Sequence, residues 1–168
     1  MPHSDIRYAT GRCGLGALLV ARSPEGLCAI SLGDDAGALV VALCARHPHA
    51  RPDTDLAALQ RVVAFIDTPG EPLGLPLAPQ GTPFQRRVWQ ALGEIAAGET
   101  LSYTDLAQRI GAPRAVRAVA GACAANPLAV VIPCHRVLRR DGKLAGYRWG
   151  EARKRQLLER EAQAGITP

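Results

Sequence analysis

A segment rich in proline and glycine, residues 68–79, divides the chain into two parts whose sequence patterns differ. Before it, short aliphatic segments alternate with turn residues and are followed by two segments with helical spacing. After it, the patterns are almost entirely helical. The order of elements therefore predicts an α/β chain, with a small N-terminal antiparallel sheet with helices and a mainly helical C-terminal domain. The predicted domains are residues 1–78, including the linker, and residues 79–168.

The first part has the pattern of a strand meander followed by helices. Three strands are predicted, because turn residues separate the aliphatic segments at residues 6–9, 16–21 and 27–32. Two helices are then predicted, over residues 36–46 and 56–66. The apolar side chains of the second helix define one core face, which consists of Leu56, Leu59, Val63 and Ile66.

The second part begins with a well-marked helix. Thr82 is a typical N-cap residue, Pro83 suits the first helical position, and Gln85 completes a capping box. These signals predict a helix over residues 83–92. Its core face is predicted to consist of Phe84, Val88 and Trp89.

Two further helices follow, with only a short turn between them. Ser102 and Asp105 form a second capping box, which predicts a short helix that ends at Gly111. Pro113 opens a third helix, predicted over residues 114–125. The pair has the spacing of a helix-turn-helix.

The third helix contains almost nothing larger than alanine except two arginines and two valines. Such side chains could read few base edges, but they let a helix backbone approach the minor groove of DNA closely. A core helix packed tightly against its neighbours would have the same composition. From the residues alone, both interpretations remain open.

The net charge of +5 is unevenly distributed. Residues 1–81 carry six Arg and Lys against eight Asp and Glu, a charge of −2, whereas residues 82–168 carry fourteen against seven, a charge of +7. A basic half suits a phosphate-backbone partner, although many solvated surfaces are also basic. The N-terminus lacks the features of a signal peptide, and no apolar run approaches the ~20 residues of a membrane span. A cytoplasmic protein is predicted.

Five cysteines without a C-x-x-C pair predict reduced thiols. Cys134 lies in the apolar run 130–137, between Pro133 and His135. Proline fixes its own φ and favours an extended Ile132, so a stiff turn should hold this cysteine in place. A neighbouring histidine could help to form the thiolate that a nucleophilic cysteine requires. The alternative is an inert core cysteine.

Several motifs, in this order along the chain, resemble those of the methylated-DNA–protein-cysteine methyltransferases, also called O6-alkylguanine-DNA alkyltransferases. The motifs are Asn126-Pro127, Pro133-Cys134-His135-Arg136 and Gly146-Tyr147-Arg148-Trp149-Gly150. The resemblance is strongest over residues 81–161, to the bacterial adaptive-response members of the family, and a weaker likeness at residues 6–35 extends it to most of the chain.

The resemblance implies a ribonuclease H-like fold for the N-terminal part and a DNA repair activity. Members transfer the alkyl group of O6-alkylguanine, and we expect also that of O4-alkylthymine, from duplex DNA to their own cysteine. They first flip the nucleotide out through the minor groove. The implied reaction is irreversible and self-inactivating, and it needs no cofactor. A monomer that binds double-stranded DNA and no membrane is expected.

The resemblance also assigns catalytic roles. Cys134 is implied to be the alkyl acceptor, with His135 as the base that takes its proton through a water molecule. Glu161 is implied to orient this histidine, Tyr103 to donate a hydrogen bond to the leaving guanine, and Asn126 to brace the turn before the cysteine. The alternative role of Asn126 is a plain helix C-cap, and both roles are compatible.

The DNA contacts and the substrate pocket are carried over in the same way. Arg117 is implied to fill the gap left by the flipped base, and the other implied DNA-binding residues are Ser102, Arg114, Ala118 and Gly121. The implied pocket residues are Cys123, Val137, Tyr147 and Arg148. No metal site is predicted, because the remaining candidates lack paired ligand spacing; these are Cys13, Cys28, Cys44, His47 and His49.

Three alternatives remain open. A noncatalytic alkyltransferase-like protein would bind lesions without transferring the alkyl group, but such proteins lack the acceptor cysteine. A helix-turn-helix regulator would bind undamaged DNA with sequence specificity. A thiol hydrolase would turn over an ester or a peptide and would be indifferent to DNA.

Overall fold

The computed structural model describes residues 5–144 and 146–166. The chain is a mixed α/β protein, as predicted, and it divides into two compact units between Gln80 and Gly81. That the two units are domains with separate functions, over 1–78 and 79–168, stays a prediction. Within the described ranges, no helix has the length and hydropathy needed to cross a membrane.

The N-terminal unit is built on a four-stranded sheet. Its elements are β1 (Arg7–Cys13), β2 (Gly16–Ser23), β3 (Gly26–Gly33), α1 (Ala36–Arg46), β4 (Arg51–Pro52) and α2 (Ala57–Asp67). The strand order is β3-β2-β1-β4, antiparallel except for the parallel pair β1–β4. The three-strand meander and both helices are confirmed. The two-residue β4 was not predicted because it is too short to show alternation, and the ribonuclease H-like description stays a prediction.

The core of this unit is apolar. One cluster of buried side chains joins the sheet to α1 and contains Ile6, Leu19, Ala21, Cys28, Ala29 and Leu43. Leu59, Val62 and Ile66 are the buried residues of α2. The prediction was wrong for Leu56, which is 46% exposed. Leu56 lies at the N-cap, before the first turn of the helix, so it does not share the buried face.

The C-terminal unit is mainly helical. Its elements are α3 (Pro83–Gly93), β5 (Leu101–Ser102), α4 (Tyr103–Arg109), α5 (Val116–Ala124), a 3-10 turn (Cys134–Arg136), β6 (Val137–Leu138) and α6 (Glu151–Ile166). Both predicted capping boxes form at the starts of α3 and α4. Val88 and Trp89 are buried on α3, as predicted, while Phe84 is half-buried. The Trp89 indole donates a hydrogen bond to the Ala122 carbonyl of α5, 2.8 Å away.

The parallel pair β5–β6 was not predicted, and it is important for the site. Leu101 lies opposite Val137, so the chain that follows the 3-10 turn is tied to the segment that opens α4. The start of α5 also differs from the prediction. The helix begins at Val116, and Arg114 lies in the preceding turn, because the Ala115 amide bonds to the Ala112 carbonyl (2.9 Å) before the helical pattern begins.

Candidate active site

A cavity of about 270 Å³ lies in the C-terminal unit where α4, α5 and the 3-10 turn meet. Its lining residues are Tyr103, Cys123, Ala124, Cys134, Gly146, Tyr147 and Arg148. This volume is at the lower limit of small-ligand pockets. The cavity brings together the predicted acceptor, the predicted tyrosine and three of the four predicted pocket residues.

Val137 is the fourth, and its role in the pocket stays a prediction. Its side chain is fully buried, and it is not among the described residues that line the cavity. The residue belongs to β6, where its backbone pairs with Leu101 and its carbonyl accepts a hydrogen bond from the Lys154 ammonium group, 2.7 Å away. Strand pairing therefore directs its side chain into the protein interior.

The segment that leads to Cys134 is a series of tight turns. The Val131 amide bonds to the Ala129 carbonyl (2.7 Å), which closes a γ-turn with Val130 at its centre. Val130 has φ 69°, a left-handed conformation that is strained for a β-branched residue. The Cys134 amide then bonds to the Ile132 carbonyl, 2.8 Å away. The predicted stiff turn is present, and it needs a brace because its backbone is strained.

Asn126 makes the contacts of such a brace. It is fully buried directly after α5, and its side-chain oxygen accepts a hydrogen bond from the Leu128 amide (2.9 Å). Its Nδ2 donates to the Ile132 carbonyl at 2.8 Å and to the Cys134 Sγ at 3.3 Å. The same side chain thus contacts both ends of the turn and the sulfur itself. The contact with sulfur was not part of the prediction.

The surroundings of the Cys134 thiol act on its ionisation in opposite directions. Burial raises its pKa, while the hydrogen bond from Asn126 and the positive charges of Lys154 and Arg148 lower it. Burial has the larger effect, so the thiol is protonated at neutral pH. A nucleophilic role therefore requires a base.

His135 is placed to serve as that base. It is fully buried, and its Nε2 lies 2.7 Å from the Glu161 Oε1. Although burial alone would raise the pKa of Glu161, hydrogen bonds from His135 and Arg136 lower it to about 2. The ionised carboxylate accepts the Nε2 proton, which assigns the tautomer and leaves Nδ1 with its lone pair.

The Nδ1 atom of His135 has no hydrogen-bond partner among the described residues, so it makes no direct bond to the Cys134 sulfur. Burial lowers the pKa of His135, which keeps the ring neutral and able to accept a proton. Arg136 joins His135 and Glu161 in one cluster. Its Nε donates a hydrogen bond to the Glu161 Oε2 at 3.0 Å, and its Nη2 donates one to the Glu161 Oε1 at 2.8 Å. The contribution of Arg136 was missed at the sequence level.

Two tyrosines border the cavity, and both hold their protons. Burial, together with the charges of Cys123 and Cys134, raises the pKa of Tyr103 to about 12. Burial raises the pKa of Tyr147 well above the usual value, although Arg153 and the Val130 backbone act in the opposite direction. Each phenol can therefore donate a hydrogen bond to a ligand. The Tyr147 ring packs edge-on against Trp149, with 5.3 Å between centroids.

Lys154 is the second residue that the prediction missed. It lies on α6 in the same helical register as Leu157 and Glu161, three and seven residues later. That spacing was the available signal, since it puts a lysine on the face of the helix that carries a buried leucine. Lysine is rarely buried, however, so its residue type predicted an exposed side chain at this position.

The predicted DNA-binding residues lie around the start and along one face of α5. Arg117, Ala118 and Gly121 are exposed on the helix, and Arg114 is exposed in the turn before it. The Ser102 hydroxyl already accepts a bond from the Asp105 amide, 2.9 Å away, as the cap of α4.

A second cavity, of about 340 Å³, shares one wall with the first. It is lined by Tyr103, Thr104, Val116, Arg139, Arg140 and Asp141. Tyr103 thus separates an interior cavity that contains the thiol from an outer one that contains two arginines. In residues 5–144 and 146–166, no group of three or more His, Cys, Asp or Glu side chains is arranged to hold a metal ion.

Comparisons with known proteins agree with this geometry. The family model for the 6-O-methylguanine DNA methyltransferase, DNA binding domain, matches residues 83–163. The chain is 54% identical over 162 residues to the bifunctional transcriptional activator/DNA repair enzyme Ada of Escherichia coli K12, covering 94% of this chain and 46% of that protein. It is 49% identical over 104 residues to a methylated-DNA–protein-cysteine methyltransferase of Methanosarcina barkeri, covering 62% of this chain and 66% of that protein.

The chain therefore spans about half the length of its Ada relative. Among solved structures, it is similar to the Mycobacterium tuberculosis OGT in complex with DNA, with a TM-score of 0.78 and 36% identity. That match covers 95% of this chain and 93% of the other.

Proposed function

The chain belongs to the methylated-DNA–protein-cysteine methyltransferase family, and from this premise we propose that it repairs DNA by taking the alkyl group of O6-alkylguanine onto Cys134. The observation that carries the proposal is the position of this thiol. It lines a cavity, accepts a hydrogen bond from Asn126, and lies next to the hydrogen-bonded His135–Glu161 pair.

The proposed chemistry begins with transfer of the thiol proton to Nδ1 of His135 through a bridging water molecule. The thiolate attacks the alkyl carbon, a C–S bond forms, and the bond between carbon and O6 breaks. Its electron pair stays on the guanine, and the Tyr103 hydroxyl stabilises this charge by donating a hydrogen bond. The guanine then takes up a proton from solvent, and His135 returns its proton to solvent, so the net change is transfer of the thiol proton to the released guanine. A thioether offers no leaving group to restore the thiol, so each chain acts once.

We propose duplex DNA as the partner, with α4 and α5 as the helix-turn-helix. The exposed face of α5 supports this, because Ala118 and Gly121 leave the helix backbone open to close approach in a minor groove. The cavity can receive a base only after the nucleotide leaves the stack. Arg117, exposed on the same face, is proposed to occupy the gap. An O4-alkylthymine presents the same kind of O-alkyl group on a flat ring and is proposed as a second substrate.

The outer cavity suits the phosphate next to the flipped nucleotide. Arg139 and Arg140 line it, and Tyr103 forms the wall that it shares with the thiol cavity. A base in the inner cavity would therefore place its backbone near two guanidinium groups. Asp141 also lines this cavity and pairs with Arg139 at 3.2 Å, so Arg140 is the better candidate for the phosphate contact.

The test is the intact mass of the protein before and after mixing with duplex DNA that contains one O6-methylguanine, followed by peptide mapping. We expect a gain of one methylene group per chain, located on Cys134 and absent in Cys134→Ala. Cys123→Ala is the matched variant, because it removes the other thiol of the same cavity and should still gain the methylene on Cys134. Tight lesion binding without a mass change would indicate a noncatalytic protein, and repeated turnover would refute the one-shot reaction.

A further inference from the structure

Arg87 is an exposed residue of α3 whose side chain reaches a different helix. Its Nη2 donates a hydrogen bond to the carbonyl of Ile110, the residue at which α4 ends. The last carbonyls of a helix have no partner within that helix, and a charged donor bonds them more strongly than a neutral one. Arg87 therefore caps α4 from outside and fastens its end to α3.

Ile110 is also where the turn of the proposed helix-turn-helix begins. The turn is short and bonded to itself, since the Ala115 amide bonds to the Ala112 carbonyl (2.9 Å) directly before α5. Arg114 lies exposed in this turn, and Arg117 lies exposed in the first turn of α5. The place of both arginines therefore depends on where α4 ends.

The second helix of the pair is fastened to α3 as well. The Trp89 indole of α3 donates a hydrogen bond to the Ala122 carbonyl of α5 at 2.8 Å, and both residues are buried. One helix thus holds both members of the pair, α4 through an exposed guanidinium group and α5 through a buried indole. Replacing Arg87 would remove this attachment of α4 without opening the core.

The contact between Arg87 and Ile110 lies at a distance from the thiol cavity. Tyr103, which lines the cavity, is the first residue of α4, and Ile110 follows the last. The seven residues of α4 put about 10 Å between the two ends. Arg87 is not among the described residues that line the cavity. A change at this contact should therefore affect how the helices meet DNA and not the chemistry at Cys134.

We propose that Arg87 is a positioning residue for DNA binding, which holds the end of α4 on α3 and so keeps the helix-turn-helix in the arrangement that fits a duplex. Without this bond, the turn that begins at Ile110 occupies other arrangements as well. Only the fraction of chains in the fitting arrangement can bind, and the apparent affinity falls by that fraction. The proposal rests on the proposed binding of duplex DNA by α4 and α5.

A direct contact between Arg87 and a phosphate is the competing explanation, since the side chain is exposed and charged. The two explanations differ in their dependence on salt. A phosphate contact releases a counterion, so its loss lowers the slope of log affinity against log salt concentration by about one. A positioning residue makes no contact with the DNA, so its loss weakens binding at every salt concentration and leaves the slope unchanged.

The experiment compares the native chain with Arg87→Met and with the control Arg86→Met. Arg86 is the preceding residue of α3 and is also exposed, but its Nε donates to the Gly81 carbonyl at 3.0 Å, ahead of the helix. Both variants thus remove one positive charge from the same helix, and only one of them releases α4. The rate of alkyl transfer from a duplex with one O6-methylguanine is measured against DNA concentration, which separates the half-saturating concentration from the maximal rate.

In Arg87→Met we expect the half-saturating DNA concentration to rise about fivefold, which is what the loss of one hydrogen bond of ordinary strength allows. The maximal rate, and the rate with O6-methylguanine supplied as the free base, should stay within about twofold of the native values, because the cavity is unchanged. Arg86→Met should change the half-saturating concentration by less than about twofold, since salt screens an exposed charge that makes no contact with DNA. Arg87→Lys keeps the charge and a donor and should recover most of the affinity.

The measurement is repeated between about 50 and about 200 mM salt. An unchanged slope in Arg87→Met supports the positioning role, whereas a slope lower by about one would identify a phosphate contact and overturn it. Equal losses in Arg86→Met and Arg87→Met, or slower transfer from the free base in Arg87→Met, would overturn it too. A native chain that transfers no alkyl group would refute the proposed function itself, and transfer by all three chains at the same half-saturating concentration would refute only the role of Arg87.

Discussion

The N-terminal and C-terminal units each bury a cysteine to almost the same degree, and the two thiols have different surroundings. Cys28 is 6% exposed and Cys134 is 5% exposed. Cys28 belongs to an aliphatic cluster, and burial raises its pKa to about 11, opposed by its own backbone and by Arg46. Cys134 borders a cavity and accepts a hydrogen bond from a buried amide, with Lys154 and Arg148 acting on it.

The same contrast holds for the two interiors. In the N-terminal unit, Ser23 is the buried polar residue among those described, whereas the C-terminal unit buries Asn126, His135 and Lys154. Apolar burial contributes stability without needing partners, but each buried polar group must be matched by another. The interior of the C-terminal unit therefore contains polar groups that need partners, and one of them, Asn126, contacts the Cys134 thiol. The predictions below test that difference.

The largest expected effect is on thiol reactivity. At neutral pH we expect iodoacetamide to modify Cys134 more than tenfold faster than Cys28, because Cys134 borders a cavity that admits a small reagent, whereas Cys28 is packed among aliphatic side chains. Peptide mass spectrometry over time measures both rates in one sample. In denaturant the two rates should converge, and native rates within tenfold of each other would remove the proposed distinction.

Loss of the brace should have the next largest effect. Asn126→Leu keeps a similar volume but leaves the Ile132 carbonyl and the Leu128 amide buried without this partner. The Ile132 carbonyl keeps the Cys134 amide as a partner, whereas the Leu128 amide loses the one that Asn126 supplies. We expect the free energy of unfolding in urea to fall by about 3 kcal/mol, since an unsatisfied buried amide costs roughly 1–3 kcal/mol and the lost bond to Ile132 about 1 kcal/mol.

The matched control is Ser23→Ala in the N-terminal unit. The Ser23 hydroxyl donates to Glu25 at 2.9 Å near the surface, so its removal should cost less than about 1 kcal/mol. Equal losses for the two variants would contradict the view that polar burial is more demanding in the C-terminal unit.

Glu161→Gln is expected to have a smaller effect that depends on pH. The pKa of Glu161 is lowered to about 2 from an ordinary value of 4.5, so its ionised form stabilises the native state fully above pH 4.5. That stabilisation is lost as the pH falls towards 2. The variant should lose on the order of 2 kcal/mol at pH 7, after allowance for solvent screening, and less at pH 3.

Urea unfolding at both pH values measures this effect, with Glu159→Gln as the control. Glu159 is exposed on the same helix, so its replacement should change stability by less than about 0.5 kcal/mol at either pH. A loss in Glu161→Gln that stays constant between pH 7 and pH 3 would show that the carboxylate charge is not what stabilises the His135–Arg136 cluster.

Much of the fold could be predicted from local signals. The capping boxes of Thr82 and Ser102 specify where α3 and α4 begin, because the side chain and the backbone that it caps are neighbours in sequence. The strand β4 and the pair β5–β6 could not be predicted. Two-residue strands show no periodicity, and their partners lie far away in the chain.

The residues of the candidate site also differ in whether local sequence signals could indicate them. Motifs pointed to Cys134 and Asn126, and the family resemblance pointed to Glu161; the structure brings these three residues together. Motifs could not indicate that Val137 faces inward or that Lys154 is buried, since both depend on how α6 and β6 pack against the turn. Adjacency to a motif in sequence does not determine the direction of a side chain, so the motif left the direction of the Val137 side chain open.

The smallest effect is expected for an ion pair of the N-terminal unit. Arg22 donates two hydrogen bonds to Asp53, at 2.5 and 3.0 Å, and these lower the pKa of Asp53. The pair resembles the Glu161–Arg136 contact in geometry, but the Arg22 side chain is 39% exposed to solvent, which screens the charges. Asp53→Asn should therefore reduce the free energy of unfolding at pH 7 by at most about 1 kcal/mol.

Because the folded-state pKa of Asp53 is depressed, this contribution is present above the ordinary value of 3.8 and disappears as the pH falls below it. High salt should reduce it as well, whereas the loss in Glu161→Gln should persist in salt. A loss in Asp53→Asn as large and as salt-resistant as that in Glu161→Gln would mean that the two units stabilise charges in the same way, and the contrast between them would then be confined to their cysteines.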